Sequence, residues 1–249
     1  MTATNAEYVQ CAECVLRRKP LFRPLSDAEI KFVAEMKTAH VAVRPREHII
    51  ETGQVGAPLM TLYEGWAIRY RRGIGGRRHI LSFVLPGDPV AAESALLGKV
   101  EYSVMALTPV ALCVFHGHSM AELFAAHPDL ALALYRDQLE GIRSFDFEAV
   151  NGSTGDAVAQ LAYLFLHTFD RLDERGLANG NVCPFPLKRA DIADRIGLST
   201  MHLSRTLAAL KRQRIATLID GNLHISNRAR LARLVHYPAQ DRAAQHAIL

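Results

Sequence analysis

Long apolar runs are missing from this 249-residue sequence. Nothing in it approaches the roughly 18–20 residues that a membrane-spanning helix requires, so a membrane partner is not expected. The N-terminal stretch MTATNAEYVQ has neither a basic start nor an apolar core, which speaks against secretion and for a cytoplasmic protein. Cysteine is scarce as well: four in the whole chain cannot make a disulfide scaffold. Signatures of catalysis are also lacking. There is no P-loop, no zinc-protease motif and no nucleophile elbow, and no βαβ pattern surrounds the one CxxC pair, so an enzyme is not expected.

What is present is an ordinary globular composition, 22% charged and 49% apolar, long enough for two domains. Its charge is unevenly placed. Between Leu187 and Val235 stand Lys188, Arg189, Arg195, Arg205, Lys211, Arg212, Arg214, Arg228, Arg230 and Arg233, opposed only by Asp191, Asp194 and Asp220. That stretch carries +7, so a chain of net +4 leaves −3 for the remainder. A basic C-terminal domain on a mildly acidic body points to a polyanion, nucleic acid foremost.

Local patterning divides the chain further. Ser26 and Glu29 form a capping box, with Leu25 and Ile30 as its hydrophobic staple, and open a helix continued by Val33 and Met36. From His40 to Phe115, short β-rich runs (HVAV, HII, LMTLY, WAIRYRR, HILSFVL, YSVMAL, ALCVF) are broken by glycine and proline, the pattern of an antiparallel barrel or roll. A second capping box, Ser119 with Glu122, precedes Pro128, a first-turn proline opening a long helix from Asp129 toward Val150. Leu132, Tyr135, Leu139 and Ile142 recur on it in steps of three and four, Ala149 keeps the phase and Asp146 interrupts it. This narrow seam suits a dimer; an ordinary helix lying on the roll is the other reading. Asn151-Gly152 is expected to end that helix, and another runs from about Thr154 to Gly176.

The segment RADIADRIGLSTMHLSRTLAALKRQ, 189–213, is the most informative. Ala193, Gly197 and Leu203 have helix-turn-helix spacing: a small residue lets the helices touch, glycine permits a left-handed turn, and an apolar residue anchors the second helix. Ser199 is placed to cap that helix. Leu203, Leu207 and Leu210 face inward, leaving His202, Ser204 and Arg205 outside. Asp220-Gly221 between two β runs signals a hairpin wing. An αα-hairpin without a DNA role is the competing reading.

A β-roll, a long dimer helix and a winged helix-turn-helix, in that order, resemble the Crp/Fnr family of transcription regulators. The resemblance rests on GAPLMTLYEGWAIRYR and LPGD in the roll and DIADRIGLSTMHLSRTLAAL in the reader, and covers nearly the whole chain. It implies an α+β fold: an N-terminal arm at 1–25, an antiparallel β-roll of double-stranded jelly-roll type at 26–127, a dimerisation helix at 128–151 and a winged helix-turn-helix at 152–249. It further implies a homodimer on a palindromic double-stranded DNA operator, with RNA polymerase as a partner if the protein activates. Ser199, Thr200, Met201, His202, Ser204 and Arg205 would make the DNA contacts, Ser199 at a phosphate and Arg205 on a guanine. The family's best-known readers carry glutamate four residues before that arginine. Met201 stands there and cannot accept from a cytosine amine, so the operator should differ at that base pair.

The effector is left open by the residues. Cyclic-AMP receptors of this family hold the phosphate with an arginine–serine pair; here Tyr102 precedes Ser103, so cAMP is not the expected ligand. Cys11, Cys14 and Cys113 match three of the four iron–sulfur ligands of Fnr proteins, with Pro20 where the remaining cysteine would be and His116 or His118 as substitutes. Arg17, Arg18 and Lys19 would lower the CxxC thiol pKa values, which suits a thiol redox switch equally; structural cysteines, Cys183 among them, are the third reading. A small ligand in the β-roll without metal, or an effector-binding module acting on a protein partner, are the alternatives at the level of function.

Overall fold

The structure is a computed structural model, and it describes residues 4–5, 9–19, 21–116, 119–153, 156–235, 237, 246 and 248. Two compact units make it up: Met1–Asp137 with Gln245–Leu249, and Gln138–Ala244.

The first unit is an antiparallel roll. Its elements in chain order are β1 (Thr4–Asn5), α1 (Asp27–Met36), β2 (Lys37–Val43), β3 (His48–Ile50), β4 (Met60–Glu64), β5 (Ala67–Arg72), β6 (Arg78–Val84), β7 (Pro89–Val90), α2 (Ala92–Leu97), β8 (Ser103–Ala106), β9 (Val110–Phe115) and α3 (Ser119–Ala126). Two sheets form, ordered β1-β2-β9-β4-β7 and β3-β8-β5-β6, and their strand pairs are antiparallel. Alternating residues of both, including Val43, Ile49, Leu62, Ala67, Val104 and Leu112, meet in one core. That burial makes the short strands stable, since no isolated pair of them would be. A second cluster, with Val33, Met36, Leu59, Cys113, Phe115 and Leu123, is where α1 and α3 cover the first sheet. The capping box at α1 is formed: Ser26 Oγ accepts from the Glu29 N–H and Glu29 Oε2 accepts from the Ser26 N–H at 2.8 Å. The side chain of Ser119 lies outside the described residues.

Next comes α4 (Pro128–Ser153), opened by its proline as expected. It runs through Asn151 and Gly152 rather than stopping at them. Poor helix formers cost little in a last turn, which is unsupported on one side anyway.

The second unit holds α5 (Ala157–Glu174), β10 (Val182–Pro184), α6 (Arg189–Ile196), α7 (Thr200–Arg212), β11 (Ala216–Ile219), β12 (Asn222–Ile225) and α8 (Arg228–Arg233). Helix α5 begins at Ala157, where Asp156 Oδ1 accepts from the Val158 N–H at 2.8 Å; Thr154, the expected start, lies outside the described residues. The strands form a sheet ordered β10-β12-β11. No helix among the described residues is long and apolar enough to cross a membrane.

Candidate functional site

Helix α6 ends because Gly197 takes a left-handed conformation, φ +72°. The Gly197 and Leu198 N–H groups both turn back to the Ala193 carbonyl, the latter at 3.1 Å, satisfying an end that would otherwise be open. Ser199 then caps α7, its Oγ accepting from the His202 N–H at 3.2 Å. Leu203, Thr206 and Leu210 are buried against the unit's core and fix the rotation of α7 about its axis. The opposite face carries Ser199, Thr200, Met201, His202 and Arg205, all exposed. A donor-rich face therefore stands on a rigid helix behind a tight turn.

Individual side chains on that face differ in freedom. Met201 is 64% exposed, and Arg205 Nη2 donates toward its sulfur at 3.6 Å, so the guanidinium is steered by the residue one turn before it. Ser204 is half-buried and already committed: its hydroxyl donates to the Thr200 carbonyl at 2.8 Å and accepts from Arg189 Nη1 at 3.3 Å. Arg189 was visible in the sequence only as a charge. Its spacing of fifteen residues from Ser204 carries no local signal, yet the turn brings the two together.

The wing forms at the expected place. Ile219 and Asn222 pair across Asp220 (φ +48°) and Gly221 (φ +73°), successive left-handed residues that match a two-residue hairpin turn. The basic stretch is less free than its formal charge suggests. Arg228 is held bidentately by Asp170, at 2.6 and 2.9 Å, where Asp170 is 2% exposed, and Arg195 pairs with Glu148. Lys211 and Arg212 stay exposed at the end of α7.

On α4 the seam residues are open to solvent in the single chain: Leu132, Tyr135, Leu139 and Ile142 are each 41–56% exposed. Phe145, at 61%, extends the apolar face beyond the residues the heptad pattern selects.

In the roll, Cys11, Cys14 and Cys113 line one small, partly open cavity of about 10 Å³, together with Arg17, Lys37 and Tyr63. Burial pushes the Cys113 thiol up to about 11 and raises that of Cys11, although Lys37 pulls both back and Arg17 pulls back Cys11. The expected lowering of the Cys11 pKa by its basic neighbours is thus reversed, because the turn at Cys11–Glu13 buries the thiol. Burial likewise lifts Cys183 to about 12. An iron–sulfur cluster does not fit the described residues. Among them no three His, Cys, Asp or Glu side chains group to hold a metal ion, and the cavity has room for a water molecule rather than a cluster. Two cations face it, and His116 pairs with Glu122 at 3.2 Å. Pro20 and His118 lie outside the described residues.

Where a cyclic phosphate would need its arginine, Tyr102 is buried, with Arg69 lying over its ring at 4.7 Å and Glu93 3.5 Å from Arg69. The available cation is already covered.

Comparison with known proteins agrees with this organisation. The cyclic nucleotide-binding domain family matches residues 40–127, and the Crp-like helix-turn-helix domain family matches residues 159–234. The chain is 25% identical over 224 residues to the nitrogen fixation regulation protein FixK of Bradyrhizobium diazoefficiens, covering 90% of this chain and 93% of that one. It is 22% identical to the transcriptional activator protein FnrL of Cereibacter sphaeroides, covering 87% of each. Among solved structures, FixK2 from Bradyrhizobium japonicum matches with a TM-score of 0.71 at 24% identity, over 82% of this chain and 99% of that one.

Proposed function

This chain belongs to the Crp/Fnr family of transcription regulators, a family of DNA-binding proteins rather than enzymes, and on that premise we propose that it acts as a homodimer reading a palindromic operator through α7. The observation that carries the reading is the exposed face of α7. Ser199, Thr200, Met201, His202 and Arg205 all point away from the core on a helix whose rotation is set by Leu203, Thr206 and Leu210. Arg205 offers guanine a bidentate fork, and the N-terminus of α7 at Ser199 suits a phosphate. Met201 steers Arg205 in place of the glutamate of familiar readers, so the operator differs from theirs at the base pair Met201 faces. The apolar stripe Leu132–Ile142 on α4 supplies the dimer, which makes the half-sites inverted copies. The work is cytoplasmic, and RNA polymerase is the partner if transcription is activated.

The roll serves as a sensory domain without cyclic AMP. Tyr102 stands where the phosphate's arginine would be, and Arg69 is engaged by the Tyr102 ring and Glu93. An effector-binding module that acts on a protein alone would not need the face of α7. A gel-shift titration of operator duplex at rising salt separates the two: the DNA reader loses affinity linearly in log–log form and relaxes its preference at one base pair per half-site in Arg205→Ala. Salt-independent retention, or none at any salt, would leave the protein-partner reading.

A further inference from the structure

The thiol cavity adjoins a second feature that reading DNA does not use. Residues 9–19 fold over the first sheet as two short turns, so Cys14 and Arg17 sit on a thin layer of chain. His246 and Ile248 are seated on that layer. His246 donates its N–H to the Leu21 carbonyl at 2.7 Å and accepts from the Arg23 N–H at 2.8 Å. Its ring bonds Asp137 at 2.7 Å. Ile248, 2% exposed, packs with Leu16, Leu21 and Phe22, and its carbonyl accepts from Arg17 Nη1 at 3.2 Å. Arg17 therefore touches the thiol cavity and the C-terminal residues at once. These residues lie beyond 159–234, where the helix-turn-helix family matches.

We propose that Cys14 and Cys113 are a hydroperoxide-oxidised pair whose disulfide staples the N-terminal arm to β9 and thereby fixes the seat of the C-terminal residues. Of the three thiols lining the cavity, Cys14 is only half-buried and meets an oxidant first, while Cys11 and Cys113 are buried. Cys113 sits on a strand paired on both sides, by β2 and β4, so it is a fixed anchor. Cys11 shares its own turn with Cys14 and could staple nothing. The cavity has room for about one water-sized molecule, so hydrogen peroxide meets Cys14 at its half-exposed edge and bulkier hydroperoxides are kept from the buried thiols. Lys37, itself buried with its ammonium on the Val9 carbonyl at 2.5 Å, lines the same cavity as the three thiols and brings a positive charge to it.

The chemistry closes without another reactant. Cys14 thiolate attacks one peroxide oxygen; the O–O bond breaks, the departing hydroxide takes up the proton that the Cys14 thiol gave up and leaves as water, and Cys14 becomes a sulfenic acid. The Cys113 sulfur then displaces that hydroxyl, which departs as a second water with the Cys113 proton, and the S–S bond forms. Two thiols lose two electrons and one peroxide becomes two waters.

The test uses the full chain, reduced and then treated with hydrogen peroxide, and needs no DNA. Non-reducing peptide mapping should find Cys14 joined to Cys113 with a mass loss of about 2 Da, reversed by dithiothreitol. Carboxypeptidase should trim the oxidised protein several-fold more slowly than the reduced one. Cys14→Ser should abolish both effects, and Cys11→Ser and Cys183→Ser should keep them. Cys14 lies on the half-buried arm, so its variant decides the matter even if Cys113→Ser does not fold. A Cys11–Cys14 bridge, full alkylation of all thiols after peroxide, or equal trimming rates would each overturn the proposal.

Discussion

Arg205 and its neighbours show how much a single side chain decides. The guanidinium is exposed and steered by Met201, one turn before it on α7. Truncation to Ala should cost about 1–3 kcal/mol of operator affinity and relax preference at one base pair per half-site. Arg205→Lys should recover charge but not the fork, so affinity returns in part while the base preference does not. Fluorescence anisotropy on duplexes varied one base pair at a time reads both. Arg228 carries the opposite lesson. In the sequence it counts toward a basic surface, but its partner Asp170 stands 58 residues away and is 2% exposed. Arg228→Ala should therefore destabilise the 138–244 unit by about 1–3 kcal/mol, seen as a fall in its melting temperature, because a buried carboxylate loses its cation and, among the described residues, keeps only the hydrogen bond from Tyr237. Residues whose role is local were legible beforehand: Ser26 with Glu29, Ser199, and Asp220-Gly221 each do what their nearest neighbours dictate. Residues whose role is set across the fold, such as Arg189, Lys37 and Asp170, were not.

Elements were legible to the extent that periodicity and punctuation define them. The helix-turn-helix rests on Gly197, whose φ of +72° no β-carbon tolerates well, although an added Cβ there would meet nothing within 4 Å. Gly197→Ala should accordingly cost about 1–2 kcal/mol from backbone strain alone, with Gly197→Asn costing less, measurable by urea unfolding. Helix α4 shows the limit of such signals. The heptad pattern found Leu132, Tyr135, Leu139 and Ile142, all solvent-exposed in the single chain, but not Phe145, which falls out of phase and is exposed just as fully. Asn151 and Gly152 did not stop the helix, since propensity is weak where a terminal turn needs few internal bonds. Changing Leu139 and Ile142 to Glu should leave the chain folded and monomeric in sedimentation, with weakened binding to a palindromic duplex. A dimer that survives both changes would move the interface elsewhere.

At the scale of the whole molecule, the order roll, long helix, winged reader followed from strand-like runs, one proline-opened helix and one turn signature. What the order could not supply is the interior of the sensor. The cysteine spacing suggested a cluster, and only the fold shows three thiols sharing a cavity with Lys37 and Arg17 that is too small for one. The closing residues were equally silent, because nothing in QHAIL announces that His246 will sit beside Leu21 and Arg23. On the function proposed for this chain, two copies of α7 read inverted half-sites. Selection of bound duplexes from a random DNA library by the purified full chain tests it most directly. Enrichment of an inverted repeat with half-site centres about one helical turn apart, 10–10.5 bp, is the result predicted. Enrichment of a single unrepeated half-site, or of no sequence at all, would contradict it.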